Sequence, residues 1–212
     1  MRFTTFVLMF LAATAATTGA ETKRTPPSLL EARLESSRWN LAMAGGIAAC
    51  EAALDEKGAV TSVAMVQDVP PHGAALAEAV RSWRFEPARE GARSVPSRVL
   101  VLGFFRPPGI NFPAPASPRY KTTTAPDEIP WPTSVAVPPY PPNALGSGGV
   151  LLEADVSEAG SVVGTRRLTP AGAFDSAAEQ ALKAWRFRPA KDGAGEVASR
   201  VFVVLTFVGT TP

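Results

Sequence analysis

Two segments of the chain, 102 residues apart, carry nearly the same sequence. Residues 83–99 and 185–201 are identical at 11 of 17 aligned positions, and both begin with Trp-Arg-Phe. The same offset aligns Gly58 with Gly160 and Phe105 with Phe207. Internal similarity at a fixed period indicates a duplicated structural unit. The 212 residues therefore have to fold as two copies of one unit, with connecting segments.

Each copy contains the same hairpin signal. In the second copy, an alternating segment over 150–156 leads through Ser157-Glu158-Ala159-Gly160 into another strand-like segment. Polar residues around a glycine between two such segments are typical of a β-hairpin. The first copy has Asp55-Glu56-Lys57-Gly58 at the same place, so we expect the same hairpin there.

A helix is predicted after each hairpin. In the second copy, apolar residues recur at helical spacing and form one stripe: Phe174, Ala177, Ala178, Ala181, Leu182 and Trp185. Asp175 is the predicted N-cap and Phe174 a hydrophobic staple. Pro87 and Pro189 are expected to end the helical regions. With a final strand rich in valine and phenylalanine, each unit is predicted to be a small β-β-α-β domain of the α+β class.

The final strand of each unit is apolar on both faces. In the second copy, Val201, Val203 and Leu205 alternate with Phe202 and Val204. An open edge of this kind is an aggregation hazard, so something has to cover it. Three alternatives could cover this strand: the sister copy, a second molecule through self-association of the last strand, or a strand added by a partner.

The amino terminus has the layout of an export signal. Residues 1–20 carry one positive charge at Arg2, then an apolar run, then small residues before a cleavage point after Ala20. The alternative is an uncleaved membrane anchor, since residues 3–20 are 18 uncharged residues and a spanning helix needs about 17–25. Both alternatives predict an exported chain.

Proline marks the segment between the copies. Twelve of the 21 prolines lie between Pro107 and Pro142, which predicts a semi-rigid linker. The predicted organisation is a signal peptide over 1–20, a divergent first domain over 28–106, a linker over 107–137 and a second domain over 138–210. The segment from Ser28 to Met43 is compatible with a helix before the first copy.

Composition excludes several kinds of site. One cysteine and one histidine rule out an intramolecular disulfide, a multi-cysteine zinc site and a two-histidine metal site. A net charge of +2 gives no reason to expect nucleic acid as a partner. No motif for a cofactor is found, and we expect none. Cys50 and His72 could form a nucleophilic pair on composition alone, but the second copy has neither residue and the strand position of Cys50 favours a buried thiol.

The second copy resembles the C-terminal domain of the TonB family. The resemblance covers residues 138–208 and depends on five features in order. They are Tyr140-Pro141, the Gly148-Gly149 strand start, the Ser157–Gly160 hairpin, the helix ending in Trp185-Arg186-Phe187-Arg188-Pro189-Ala190, and the strand from Val201 to Val208. The first copy looks like a divergent second example, with Trp39-Asn40 in place of Tyr-Pro.

The resemblance implies a periplasmic, non-catalytic protein that binds an extended peptide of an outer-membrane receptor or another envelope protein. In that family the peptide adds as a strand beside the last strand of the domain, and backbone hydrogen bonds supply the affinity. Carried over by position, the implied partner-binding residues are Tyr140, Pro141, Arg200, Val201, Phe202, Val203, Val204, Leu205, Thr206 and Phe207. If residues 3–20 remain as an anchor, the resemblance implies instead an inner-membrane energy transducer that drives import through such receptors.

Overall fold

The computed structural model describes residues 24–34, 45–105, 127–193 and 195–209. The first half contains β1 (Arg24–Thr25), β2 (Ser28–Glu31), β3 (Gly46–Leu54), β4 (Val60–Gln67), α1 (His72–Arg81), β5 (Arg84–Glu86), β6 (Ala88–Glu90), β7 (Arg93–Val95) and β8 (Ser97–Phe105). The second half contains β9 (Trp131–Ser134), β10 (Gly148–Val156), β11 (Val162–Arg167), α2 (Asp175–Lys183), β12 (Arg186–Arg188), β13 (Ala190–Asp192), β14 (Gly195–Val197) and β15 (Ser199–Phe207). The protein is therefore of the α+β class, and the long elements follow the predicted order in both halves.

The six long strands of the two halves form one continuous sheet. Its order is β11-β10-β15-β8-β3-β4. Neighbours pair antiparallel except β15 and β8, which run parallel over Val201–Leu205 and Leu100–Phe104. The last strands of the two copies thus lie side by side at the centre of the sheet. Of the three predicted covers, the sister copy is the one that the structure contains.

The two helices pack on opposite faces of this sheet. The core under α1 contains alternate residues of β3 and β8 and also Phe202 and Val204 of β15. The core under α2 contains Val201, Val203 and Leu205 and also residues 100, 102 and 104 of β8. Each last strand therefore contributes one face to the core of its own half and the other face to the core of the sister half, which explains why it is apolar on both.

The pairing between the halves is staggered by one residue. Val201 lies opposite Leu100, although its counterpart in the duplicated sequence is Val99. Val201 and Leu100 belong to the core under α2, whereas Val99 belongs to the core under α1. Successive side chains of a strand point to opposite faces of the sheet. The shift of one position therefore places residues of the same core opposite each other in β15 and β8, although the two helices lie on opposite faces.

A short strand before each unit packs against the segment after its helix. β2 pairs with β5, and β9 pairs with β12. The indole N–H of Trp83 donates to the Arg33 carbonyl at 3.5 Å, and that of Trp185 donates to the Ala136 carbonyl at 2.9 Å. These lead-in strands are equivalent parts of the two copies.

The lead-in strands correct two sequence predictions. The helix predicted from Ser28 is wrong over residues 28–31, because their backbone pairs with β5; residues 35–43 lie outside the described part of the chain. The linker predicted over 107–137 is folded from residue 127 onward, since Ile129, Trp131 and Val135 are buried in the core under α2. Residues 107–126 and the export segment 1–20 also lie outside the described residues.

The helices begin close to the predicted positions, but the prediction that Pro87 and Pro189 end them is wrong. Helix α1 ends at Arg81 and α2 at Lys183, and the strands β5 and β12 lie between each helix and its proline. The N-cap of α2 is Phe174 rather than Asp175, which is the first helical residue. The Asp175 carboxylate instead accepts a hydrogen bond from the Ala171 backbone N–H at 2.9 Å. With ten and nine residues, α1 and α2 are far shorter than the ~20 residues needed to cross a bilayer, and no longer helix occurs in the described ranges.

Candidate protein-binding edges

The predicted partner-binding strand lies at the centre of the sheet. β15 is hydrogen-bonded to β10 along its whole length on one side and to β8 on the other. The side chains from Val201 to Phe207 are all buried, and the hydroxyl of Thr206 donates to the Phe104 carbonyl of the other half at 3.0 Å. The prediction that Arg200–Phe207 present an accessible edge is therefore wrong for this structure, because β8 occupies that edge.

Arg200 belongs to a charged group that joins the two halves, which we call the Glu153 cluster: Glu153, Asp155, Arg166 and Arg200. Glu153 is buried, with 5 % of its side chain exposed, and its carboxylate lies 2.7 Å from Nη2 of Arg166 and 3.3 Å from Nε of Arg200. Arg200 also contacts the Asp155 carboxylate at 2.7 Å. The hydrogen bond to Glu153 raises the pKa of Arg166 above its ordinary value. The cluster thus contains two carboxylates and two guanidinium groups, and each carboxylate lies beside an arginine.

The Glu153 cluster holds the lead-in strand of the first half. Arg200 donates to the Pro27 carbonyl at 3.3 Å, and Arg166 donates to the Leu29 carbonyl at 3.5 Å. The Leu29 backbone N–H donates in turn to the Glu153 carboxylate at 3.4 Å. Arg200 thus has a structural role between the halves.

The first half carries a reduced version of this cluster. Glu51, the counterpart of Glu153, pairs with Arg98 at 2.6 Å. The position equivalent to Arg166 is Ala64, which cannot donate. Among the described residues, Glu51 therefore pairs with one arginine, whereas Glu153 pairs with two.

Tyr140 and Pro141 fold back over the start of α2. The Tyr140 hydroxyl donates to the Gly146 carbonyl at 2.7 Å, and its ring meets the Phe174 ring edge-on at 5.6 Å. Phe174 stacks on Phe207 at 4.7 Å, and Pro141 is buried. The Tyr140 ring therefore contacts the end of β15 indirectly, through Phe174. The Tyr140 hydroxyl also closes the turn that ends at Gly146.

His72 and Cys50 are both buried in the first half. His72 stacks on Phe105 at 4.2 Å, in the same way that Phe174 stacks on Phe207. Within the described part of the chain its Nδ1 has no hydrogen-bond partner, and burial lowers the pKa of the ring. Burial raises the pKa of the Cys50 thiol to about 12, so the thiol stays protonated at neutral pH and is a poor nucleophile. Across the described residues, no group of His, Cys, Asp and Glu is arranged to hold a metal ion.

The outer edges of the sheet are formed by β11 and β4. Among the described residues, no other strand pairs with either of these edges. Val163 on β11 is 70 % exposed, and Arg166 and Arg167 follow at the end of the same strand. Sequence reasoning missed both edges because it assigned the open edge of each copy to the last strand. The available signal was the doubly apolar last strand, which favoured a central position.

In comparison with known proteins, no family model matches the chain and no curated protein matches it.

Proposed function

We propose that the protein is an exported, non-catalytic interaction protein of the TonB-like kind, which binds an extended peptide of an outer-membrane receptor or another envelope protein. The observation that carries the proposal is the sheet itself, which ends in two strand edges unpaired among the described residues. Backbone groups at such an edge bind an extended segment by strand addition. The resemblance of residues 138–208 to the TonB C-terminal domain supports an envelope protein as the partner.

We infer that the peptide adds to the outer edge of β11. Addition beside β15 requires β8 to leave, which breaks a parallel ladder and exposes apolar residues of both cores. Addition to β11 requires no such rearrangement, and Val163 offers an exposed apolar side chain beside the incoming strand. Side chains of the peptide that lie next to Val163 are expected to be apolar, because cross-strand apolar pairs stabilise a sheet.

A photo-crosslinking amino acid placed in the living envelope tests this proposal. We expect position 163 to crosslink to an outer-membrane or other envelope protein, while position 206, buried between the halves, gives none. Crosslinks from position 206 alone would show that the partner displaces β8 and binds beside β15. The absence of an envelope partner from both positions would contradict the proposed function.

The anchored energy transducer remains the alternative function. It depends on residues 3–20, which lie outside the described residues. Sequencing of the amino terminus of protein isolated from cell envelopes separates the two. A mature chain that begins at Glu21 eliminates the transducer, whereas a retained amino terminus in the membrane fraction favours it.

A further inference from the structure

A cavity of about 150 Å³ lies beside the end of the edge strand β11. Leu29, Leu30 and Ala32 of the first half form one wall, and residues 166–169 of the second half form the other. Leu29 belongs to the core under α1, and Ala32 and Leu168 pack against it, whereas Leu30 is 69 % exposed. This cavity, which we call the lead-in pocket, therefore joins apolar surface of both halves.

The polar groups that line the lead-in pocket already have partners within the chain. Arg166 donates to the Glu153 carboxylate at 2.7 Å and to the Leu29 carbonyl at 3.5 Å. The Thr169 hydroxyl accepts a hydrogen bond from the Leu151 N–H at 3.0 Å. A polar side chain that entered the pocket would lose water for few new hydrogen bonds. An apolar side chain suits the pocket better, because its binding removes apolar surface from water.

The free edge of β11 directs an extended peptide past this pocket. The Leu168 N–H donates to the Leu151 carbonyl at 2.9 Å, and by alternation Arg166 is the next residue whose backbone faces β10. The backbone N–H and C=O groups of Thr165 and Arg167 point the other way, towards an added strand. A peptide residue beside Arg166 shares its face of the sheet, which is the face of the lead-in pocket.

We propose that the lead-in pocket binds one large apolar side chain, of the size of leucine or methionine, from the extended peptide that adds to β11. This inference rests on the peptide-binding function proposed above. The backbone of Thr165 and Arg167 can bind any extended segment, and the pocket selects among segments by their side chains. An apolar cavity of about 150 Å³ can hold a molecule of the size of benzene, so a leucine or methionine side chain fits.

The opposite edge of the sheet lacks these features. β4 pairs with β3 through two β-bulges, which interrupt its edge, whereas β11 has one bulge, at its beginning. Val135 of the second half corresponds to Ala32, since each follows the residue of its lead-in strand that pairs with the Arg after the helix. Its larger side chain is buried. Ala64 stands where Arg166 holds the wall of the pocket, so β11 is the edge that selects the peptide.

Selection from a library of random linear peptides tests the proposal with the purified protein. We expect the enriched peptides to share a large apolar residue at one fixed position. Leu30→Asp places a charge on the exposed wall of the pocket, so it should weaken the binding of an enriched peptide by about tenfold or more. Leu145→Asp changes another exposed leucine, outside the pocket, and is the matched control that should leave binding unchanged.

Hydrogen exchange with an enriched peptide bound shows which edge it occupies. The Thr165 and Arg167 amides should exchange more slowly in the complex, and circular dichroism checks that both variants are folded. If the wild-type protein enriches no peptide, the peptide-binding function itself is contradicted, and this inference with it. Enriched peptides without a fixed apolar position, equal affinities for Leu30→Asp and Leu145→Asp, or slower exchange in β4 instead of β11 would overturn the pocket alone.

Discussion

The glycine of each long hairpin turn shows how closely the two copies agree at the scale of single residues. Gly58 has φ +78° and Gly160 has φ +75°, a region that favours glycine. A Cβ on Gly58 would lie 1.9 Å from the Phe85 carbonyl oxygen, and one on Gly160 would lie 1.8 Å from that of Phe187. The turn therefore touches the backbone that follows the helix, and only glycine fits there.

We expect Gly160→Ala to lower the free energy of unfolding by at least about 2 kcal/mol, because it combines a left-handed backbone with a backbone clash. Gly193→Ala is the control: its φ is +59°, but no atom of the described residues lies within 4 Å of the added carbon. That variant should cost only about 1 kcal/mol. Urea unfolding measures both, and equal losses would show that the contact with Phe187 is unimportant.

His72 predicts a pH dependence of stability. Burial lowers its pKa in the folded state, so as the pH falls below about 6.5 the unfolded chain binds a proton more readily than the folded one. The free energy of unfolding should therefore decrease until the pH passes below the lowered pKa. His72→Phe, which copies Phe174, should remove this part of the loss between pH 7.5 and 5.5. His72 is the only histidine, so an unchanged pH profile in the variant would contradict this prediction.

At the scale of elements, the Glu153 cluster stabilises the contact between the second half and the lead-in strand of the first. Glu153→Ala leaves Arg166 and Arg200 without their shared buried carboxylate and removes the acceptor of the Leu29 N–H. Arg166 is half exposed and Arg200 keeps its contact with Asp155, so we expect a loss of about 2 kcal/mol in the free energy of unfolding, in the range for a buried donor left without its acceptor. Glu78→Ala, which breaks the exposed pair with Arg81, should change it by less than about 1 kcal/mol.

Denaturant unfolding of both variants tests this prediction. A loss for Glu153→Ala no larger than that for Glu78→Ala would show that the cluster contributes little. Hydrogen exchange of the Leu29 amide gives a local measurement, since that amide should exchange faster in Glu153→Ala.

The hairpins, helices and last strands could be predicted from the sequence because each depends on residues close together in the chain. Alternation, the turn glycines and the stripe from Phe174 to Trp185 all report on such local structure. The lead-in strands could not be predicted in this way, since Leu29 pairs with Phe85, which is 56 positions later. The proline content of residues 127–137 also concealed Trp131 and Val135 as core residues.

The candidate site was predicted less well, for a related reason. A last strand that is apolar on both faces shows that both faces are covered, but the pattern does not say by what. The sequence left the sister copy, a second molecule and a partner strand open, and only the long-range pairing of β15 with β8 decides among them. That pairing moves the open edges from β15 to β11 and β4.

At the scale of the whole molecule, the two halves share their cores. Residues of β8 lie in the core under α2, and residues of β15 lie in the core under α1. We therefore predict that the full chain unfolds in one cooperative transition. Trp131 and Trp185 both lie in the core under α2. Fluorescence therefore reports mainly on the second half in Trp83→Phe and mainly on the first half in a Trp131→Phe/Trp185→Phe double variant, and the two should give coincident midpoints in urea. Separate midpoints would mean that the halves are independent.

A half produced alone should expose one apolar face of its last strand. We expect residues 24–105 by themselves to aggregate or to associate, because Leu100, Leu102 and Phe104 lose the residues of the second half that form a core with them. Co-expression with residues 127–212 should restore a soluble one-to-one complex. Light scattering after size-exclusion chromatography measures this, and a stable monomeric first half would contradict the shared core.

The one-residue stagger between β15 and β8 also bears on the symmetry that relates the two halves. A two-fold rotation about an axis parallel to the strands would place each residue of β15 opposite its counterpart in β8, with the two side chains on opposite faces of the sheet. The observed pairing adds a translation of one residue, about 3.3 Å, so the operation is a screw. Two identical free subunits could not occupy equivalent environments in such a contact. Two halves of one chain need no equivalent environments, and they do differ: His72 stacks on Phe105 where Phe174 stacks on Phe207.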